Sequence, residues 1–143
     1  MSRSGGGRKN QTLINEISLT VGLVMLTIGN FLGGMWANVN PPGGMNRAHM
    51  HPNSLWSGVY YVKAPQNCGH LKIDDPRTSA AMSRPIMKDG ETPSRLYRET
   101  SYEAVAGRCI MFPSWVTHCV DPNDSDDLRI SVSFNFLQKG MHV

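Results

Sequence analysis

Two histidines, His49 and His51, stand one residue apart in "NRAHMHPNSLWSGVYYV", just ahead of a β-branched and aromatic run. On an extended strand, residues i and i+2 point the same way with Cα atoms about 6–7 Å apart, so this pair can converge on one ion. Imidazole suits iron, zinc, copper or nickel, and the pair by itself selects none of them. A third histidine, His118, follows "GRCIMFPSWVT", and eleven residues beyond it Arg129 opens "RISVSFNF". In that last run a period of two puts Arg129, Ser131, Ser133 and Asn135 on one face and Ile130, Val132, Phe134 and Phe136 on the other. Either the polar face meets water, as on most half-exposed sheets, or it turns inward around a bound anion. A planar guanidinium clamps a carboxylate through two parallel hydrogen bonds, which a lysine does not reproduce.

These residues need strands to hold them. Short segments at 35–40, 47–51, 57–63, 69–73, 101–105, 108–112, 116–120 and 128–136, most of them alternating or rich in Val, Ile, Tyr and Phe, are separated by Pro, Gly, Asn and Asp. The pattern predicts a mainly β sandwich or barrel. Residues 1–12 read as a flexible basic Gly/Ser-rich tail, 13–34 as an N-terminal helical segment, and 35–138 as one β domain. The polar interval 74–98, with three prolines, reads as a long lid or binding loop.

Composition narrows the class. The chain has 143 residues, of which 40% are hydrophobic and 17% charged, enough for one packed core. A net charge of +3 without a basic stripe argues against a nucleic-acid partner. Three cysteines, Cys68, Cys109 and Cys119, form no CxxC pair and no disulfide framework, which fits a reducing, cytoplasmic setting. A zinc site from Cys68, His70, His118 and Cys119 can be drawn, but its spacing matches no common knuckle. No charge interrupts residues 17–46, a run long enough to cross a bilayer or, with Arg8 and Lys9 ahead, to pose as an export signal. Thr20, Thr27, Asn30, Gly33 and Gly34 break it up, so a buried helix followed by a buried strand is preferred and no membrane is expected.

The order of motifs resembles the double-stranded β-helix iron(II)/2-oxoglutarate oxygenases. The match runs from about Trp36 to Phe136 through "HMHPNSLWSGVYYV" (49–62), "DPR" (75–77), "FPSW" (112–115), His118, "RIS" (129–131) and "SFN" (133–135). The resemblance implies a jelly-roll or cupin-like barrel and a dioxygenase using Fe(II), 2-oxoglutarate and O2. It also implies oxidative decarboxylation to succinate, coupled to hydroxylation of a substrate the sequence leaves unidentified, a small molecule or a protein side chain. Carried over by position, His49 and His118 take the places of the two histidine ligands. Arg129 takes that of the arginine on the distal carboxylate of 2-oxoglutarate, with Ser131 and either Tyr60 or Tyr61 adding hydroxyls. The departure is His51, which stands where the family usually has a carboxylate. Three neutral imidazoles leave the centre one unit more positive than two imidazoles and a carboxylate. The alternative keeps His51 outside the ligand set and takes the carboxylate from Asp74 or Asp75.

Two rivals remain. Gly107, Pro113 and His118 follow most of a cupin second motif, with Trp115 where glycine is usual, but no glutamate follows His51 at cupin spacing. A non-catalytic β-barrel would make the histidines surface residues and Trp36, Trp56 and Trp115 core. "DPNDSDD" (121–127) looks like a calcium loop but lacks its glycine and final glutamate, and reads as an acidic turn. Cys119 points away from His118 and reads as core, and Arg77 in "DDPR" as a turn or substrate contact. A homodimer is left open.

Overall fold

The computed structural model describes residues 30–77 and 98–138, with positions 79, 82, 88 and 140. The expected tail 1–12, helical residues 13–29 and most of the 74–98 loop lie outside these. Among the described residues eight strands follow one another: β1 (Asn30–Asn40), β2 (Asn46–His49), β3 (Trp56–Lys63), β4 (His70–Asp74), β5 (Glu99–Glu103), β6 (Cys109–Pro113), β7 (His118–Val120) and β8 (Arg129–Gln138). They build two antiparallel four-stranded sheets, ordered β1-β8-β3-β6 and β2-β7-β4-β5. Chain order and sheet order interleave, so successive strands alternate between sheets except β4 and β5, which pair within the second. This is the double-stranded β-helix.

One boundary differs from expectation. Residues 30–34, assigned to a helical segment, are the first half of β1, paired with β8 from Asn30↔Gln138 onward. An uncharged apolar run does not distinguish a buried helix from a buried strand by periodicity, and Gly33 and Gly34 read as helix breakers. In the sheet they mark a bulge between Leu32 and Gly34. A Cβ at Gly33 would run into the Leu137 side chain, so glycine permits the close approach. No helix among the described residues is long and apolar enough to cross a membrane.

The register fixes what faces inward. Across the first sheet, Asn38 and Tyr61 flank Ser131, Trp36 and Val59 flank Ser133, and Ser57 flanks Asn135. Directly opposite residues share a face, so the polar side of β8 looks into the barrel. Across the second sheet, His49 and Ile73 flank His118, and Leu71 and Asn46 flank Val120. Between the sheets Val59, Tyr61, Leu71 and Phe112 pack with Ala104 and Val116 into one core cluster. The other face of β8 is buried as well, with Val132, Phe134 and Phe136 almost fully covered. A Cβ at Gly58 would overlap the Phe134 ring, so that glycine also makes room for a neighbour.

Candidate metal and anion site

The three histidines reach one point by different routes. His49 ends β2 and pairs directly with His118, which opens β7. Here expectation and structure part slightly, because β2 stops at His49 and His51 lies beyond it. The backbone of His51 is held instead by its N–H, which donates to Ser114 O at 3.0 Å. Ligand atoms of His49, His51 and His118 all lie within 4.8 Å of one another. The rings cluster, with centroids 4.3 Å apart for His49 and His118 and 5.2 Å for His51 and His118. Trp36, 40% exposed, stands 5.8 Å from the His51 ring at the rim.

The chemistry of this donor set fits a divalent transition metal. The His49 Nδ1 is 2.7 Å from Arg47 O and the His118 Nδ1 is 3.0 Å from Val116 O. A carbonyl only accepts, so each Nδ1 carries the proton and each Nε2 offers its lone pair. Burial is the main cause that lowers the His118 pKa to about 4, the Val116 carbonyl opposes it, and the neighbouring His49 and His51 lower it further. Burial and then His49 lower that of His51 as well. Both rings are therefore held neutral, which is the form that binds metal.

No carboxylate joins the cluster among the described residues. Asp74 follows Ile73, the partner of His118, so strand alternation turns it to the opposite face. Asp75 accepts a fork from Arg77, with Nε and Nη2 at 3.0 and 2.7 Å, and this makes the "DPR" stretch a clamped turn. Cys68, His70 and Cys119 do not join the cluster either. Cys119 faces outward opposite Lys72 and is half-buried, so the expectation of a core residue does not hold.

A second set of groups lines the same cavity. Arg129, 1% exposed, donates to the carbonyls of Cys68, of Asp121 (3.0 Å) and of Gly44 (3.2 Å), and no acidic side chain pairs with it among the described residues. Burial lowers its pKa from the ordinary value, opposed by Tyr61, Cys68 and Asp121. An arginine remains a cation even so. Tyr61, paired with Ser131, is 1% exposed, and its hydroxyl has no hydrogen-bond partner among the described residues. Burial chiefly pushes its pKa up to about 12, against the pull of Arg129, so it stays a phenol with a proton to donate. Arg129, Ser131 and Tyr61 line one cavity with His49, His51 and His118. Tyr60 does not: its partner is Val132, on the other face of the sheet.

Sequence reasoning missed two residues that organise this region. Asn123, 1% exposed, ties the β7–β8 turn to the barrel by donating to Asn40 O (3.0 Å) and Asp127 O (2.7 Å). Its setting in "DPND" gave only a turn signal. Ser57, 1% exposed, donates to Asn135 Oδ1 at 2.7 Å. Its place on the inward face was implicit in the alternation of β3.

Fold and site together define a double-stranded β-helix protein with a three-histidine centre and a buried arginine in one interior cavity. The chain belongs to the family described as "Putative 2OG-Fe(II) oxygenase", whose profile matches residues 34–135. Among solved structures, a 2OG-Fe(II) oxygenase family oxidoreductase from Burkholderia pseudomallei superposes with a TM-score of 0.58 at 12% identity, over 76% of this chain and 45% of that one. A prolyl-4-hydroxylase from Pseudomonas putida gives 0.54 at 22% identity, over 98% of this chain and 70% of that one. HygX from Streptomyces hygroscopicus, solved with nickel and 2-oxoglutarate bound, gives 0.61 at 8% identity, over 91% and 69%. At these identities the likeness is one of fold. The chain spans less than half the length of the Burkholderia protein. A 25-residue stretch is also 72% identical to Protein NrfI of Wolinella succinogenes, covering 18% of this chain and 3% of that protein.

Proposed function

We propose that the protein is an Fe(II)- and 2-oxoglutarate-dependent dioxygenase that couples decarboxylation of 2-oxoglutarate to hydroxylation of a substrate. The observation that carries this reading is the pairing, in one cavity, of three metal-competent imidazoles with a buried guanidinium that has no acidic partner among the described residues. Family membership points the same way, and HygX holds nickel and 2-oxoglutarate on the same fold. His49, His51 and His118 would hold the iron, which when bound supplies the oxidising chemistry on dioxygen.

The chain's own residues do the rest. Arg129 receives the distal carboxylate of 2-oxoglutarate; its three carbonyl partners fix the plane of the guanidinium before the anion arrives. Tyr61 donates its phenolic proton to that carboxylate, which gives the orphaned hydroxyl a partner. Ser131, next inward residue on β8, adds a second hydroxyl. Leu71, Val59 and Phe112 line the cavity with apolar surface and exclude water. With three neutral imidazoles the metal is not neutralised by its protein ligands, so the dianionic cosubstrate gains in attraction.

Hydroxylation of a small molecule or a protein side chain is the proposed outcome, with no nucleic-acid partner. Three cysteines without disulfides fit the reducing cytoplasm proposed as its setting. The test is an anaerobic titration with Fe(II) followed by 2-oxoglutarate. A visible charge-transfer band should appear on adding 2-oxoglutarate, and succinate should form on admitting air. An Fe(II) protein whose spectrum does not respond to 2-oxoglutarate would instead be a cupin-type metalloprotein.

A further inference from the structure

The three imidazoles are not held alike. His49 and His118 each rest Nδ1 on the backbone carbonyl two residues earlier. His51 lies past the end of β2, and its Nδ1 meets a side chain instead: the amide nitrogen Nδ2 of Asn135, 3.4 Å away. Asn135 is in turn bonded to the buried Ser57, its direct neighbour across the β3–β8 ladder. The ligand that no strand carries is thus reached by a side-chain relay from two strands that do not contain it.

The two ends of an asparagine amide are nearly alike in shape and exchange by a half-turn about χ2. A serine hydroxyl both donates and accepts, so Ser57 serves either end. His51 is not indifferent. With the amide Nδ2 toward it, its Nδ1 must accept, the proton moves to Nε2, and Nε2 is closed to a metal. With Oδ1 toward it, Nδ1–H donates and Nε2 keeps its lone pair, as in the other two rings.

We propose that Asn135 is the positioning residue of the third metal ligand, with its amide turned by half a turn about χ2 from the arrangement in which Oδ1 faces Ser57 and Nδ2 faces His51: its amide oxygen then accepts the His51 Nδ1–H, its amide nitrogen donates to Ser57 Oγ, and Nε2 of His51 is thereby aimed into the cluster. The proposal rests on the three-histidine reading above and deepens it. It explains how a residue off the strand can complete the set, because the relay replaces the backbone carbonyl that anchors His49 and His118. It also makes this anchor the one of the three that a single substitution can alter.

Two measurements test it. In the unaltered, metal-free protein at pH 8, a two-bond 1H–15N correlation spectrum of 15N-histidine-labelled material reads which ring nitrogen carries the proton. His51 is expected as the Nδ1–H form, and an Nε2–H form overturns the proposal. This readout needs neither metal nor turnover, so it stands apart from the dioxygenase reading. The second is an anaerobic titration with Co(II) alone. Asn135→Ala should weaken Co(II) binding about 10–100-fold, whereas Asn135→Asp, which offers the same accepting oxygen, should bind as the parent does. Parent-like binding by Asn135→Ala, or binding by Asn135→Asp as weak as that of Asn135→Ala, overturns the assignment. A parent protein that binds no Co(II) sinks the metal reading and this proposal together, while a wrong tautomer sinks this proposal alone.

Discussion

The two ends of the inward face of β8 are built on opposite plans. At one end Arg129 is buried on a strand, held by three backbone carbonyls, with Tyr61 and Ser131 beside it. At the other, His51 sits beyond a strand end, on a side-chain relay, under a Trp36 that is partly open to solvent. The proposed anion end is therefore set before a ligand arrives, and little ordering entropy is left to lose on binding. The proposed metal end is more open, as it must be to admit dioxygen and a substrate. A fixed cosubstrate suits the closed end, and variable chemistry suits the open one.

Substitutions can break this contrast. The largest effect is expected for His118→Ala, which removes the one fully buried ligand: stoichiometric iron should be lost on gel filtration while circular dichroism stays that of the parent. Iron retained at one equivalent by His118→Ala would refute the site. Arg129→Ala should act on the fold instead, because it takes the donor from the buried Cys68 carbonyl and the part-buried Asp121 carbonyl, at about 1–3 kcal/mol for an unsatisfied group, while the Gly44 carbonyl keeps the Asn123 N–H. An unfolding free energy from urea titration lowered by on the order of 3 kcal/mol is expected, together with loss of the 2-oxoglutarate response.

Acid should separate the two ends without any mutation. The His118 pKa is lowered to about 4 in the fold, chiefly by burial, against 6.5 for an unhindered imidazole. Between those values the unfolded chain binds the proton more readily, so stability is fully present above about pH 6.5 and falls as pH drops toward 4. The loss for the metal-free protein is on the order of 3 kcal/mol, and His51 adds to it in the same direction. His118→Gln should flatten the profile of urea midpoint against pH over this window, whereas Tyr61→Phe should leave it unchanged. The smallest effect belongs to Tyr61→Phe itself. Its hydroxyl has no partner among the described residues, so stability should hold, while affinity for 2-oxoglutarate falls by roughly one hydrogen bond, about 1 kcal/mol. An unchanged affinity would remove Tyr61 from the anion end.

Much of this was legible in order and type. Seven of the eight strands fall within a few residues of the alternating segments, because turn residues punctuate them and a half-buried sheet imposes a period of two. The exceptions have local causes. The segment Asn30–Gly34 carries no charge to mark a face, so only its pairing with β8, about a hundred residues away, identifies it as strand. His49 and His51 looked like strand neighbours by spacing, yet Pro52 follows His51, and β2 closes at His49.

The sequence by itself determined the donor types, the chain order of the histidines and the arginine, and which residues of β8 share a face. These are local properties of side-chain chemistry and backbone periodicity. The tertiary structure alone decided that the polar face of β8 turns inward, since periodicity gives relative faces and only the opposite sheet defines an inside. It likewise chose Tyr61 over Tyr60 through register with Ser131, left Asp74 and Asp75 outside the cluster, and brought Asn135 to His51 from 84 residues away. Each of those is a long-range contact, settled by how two sheets close on one another.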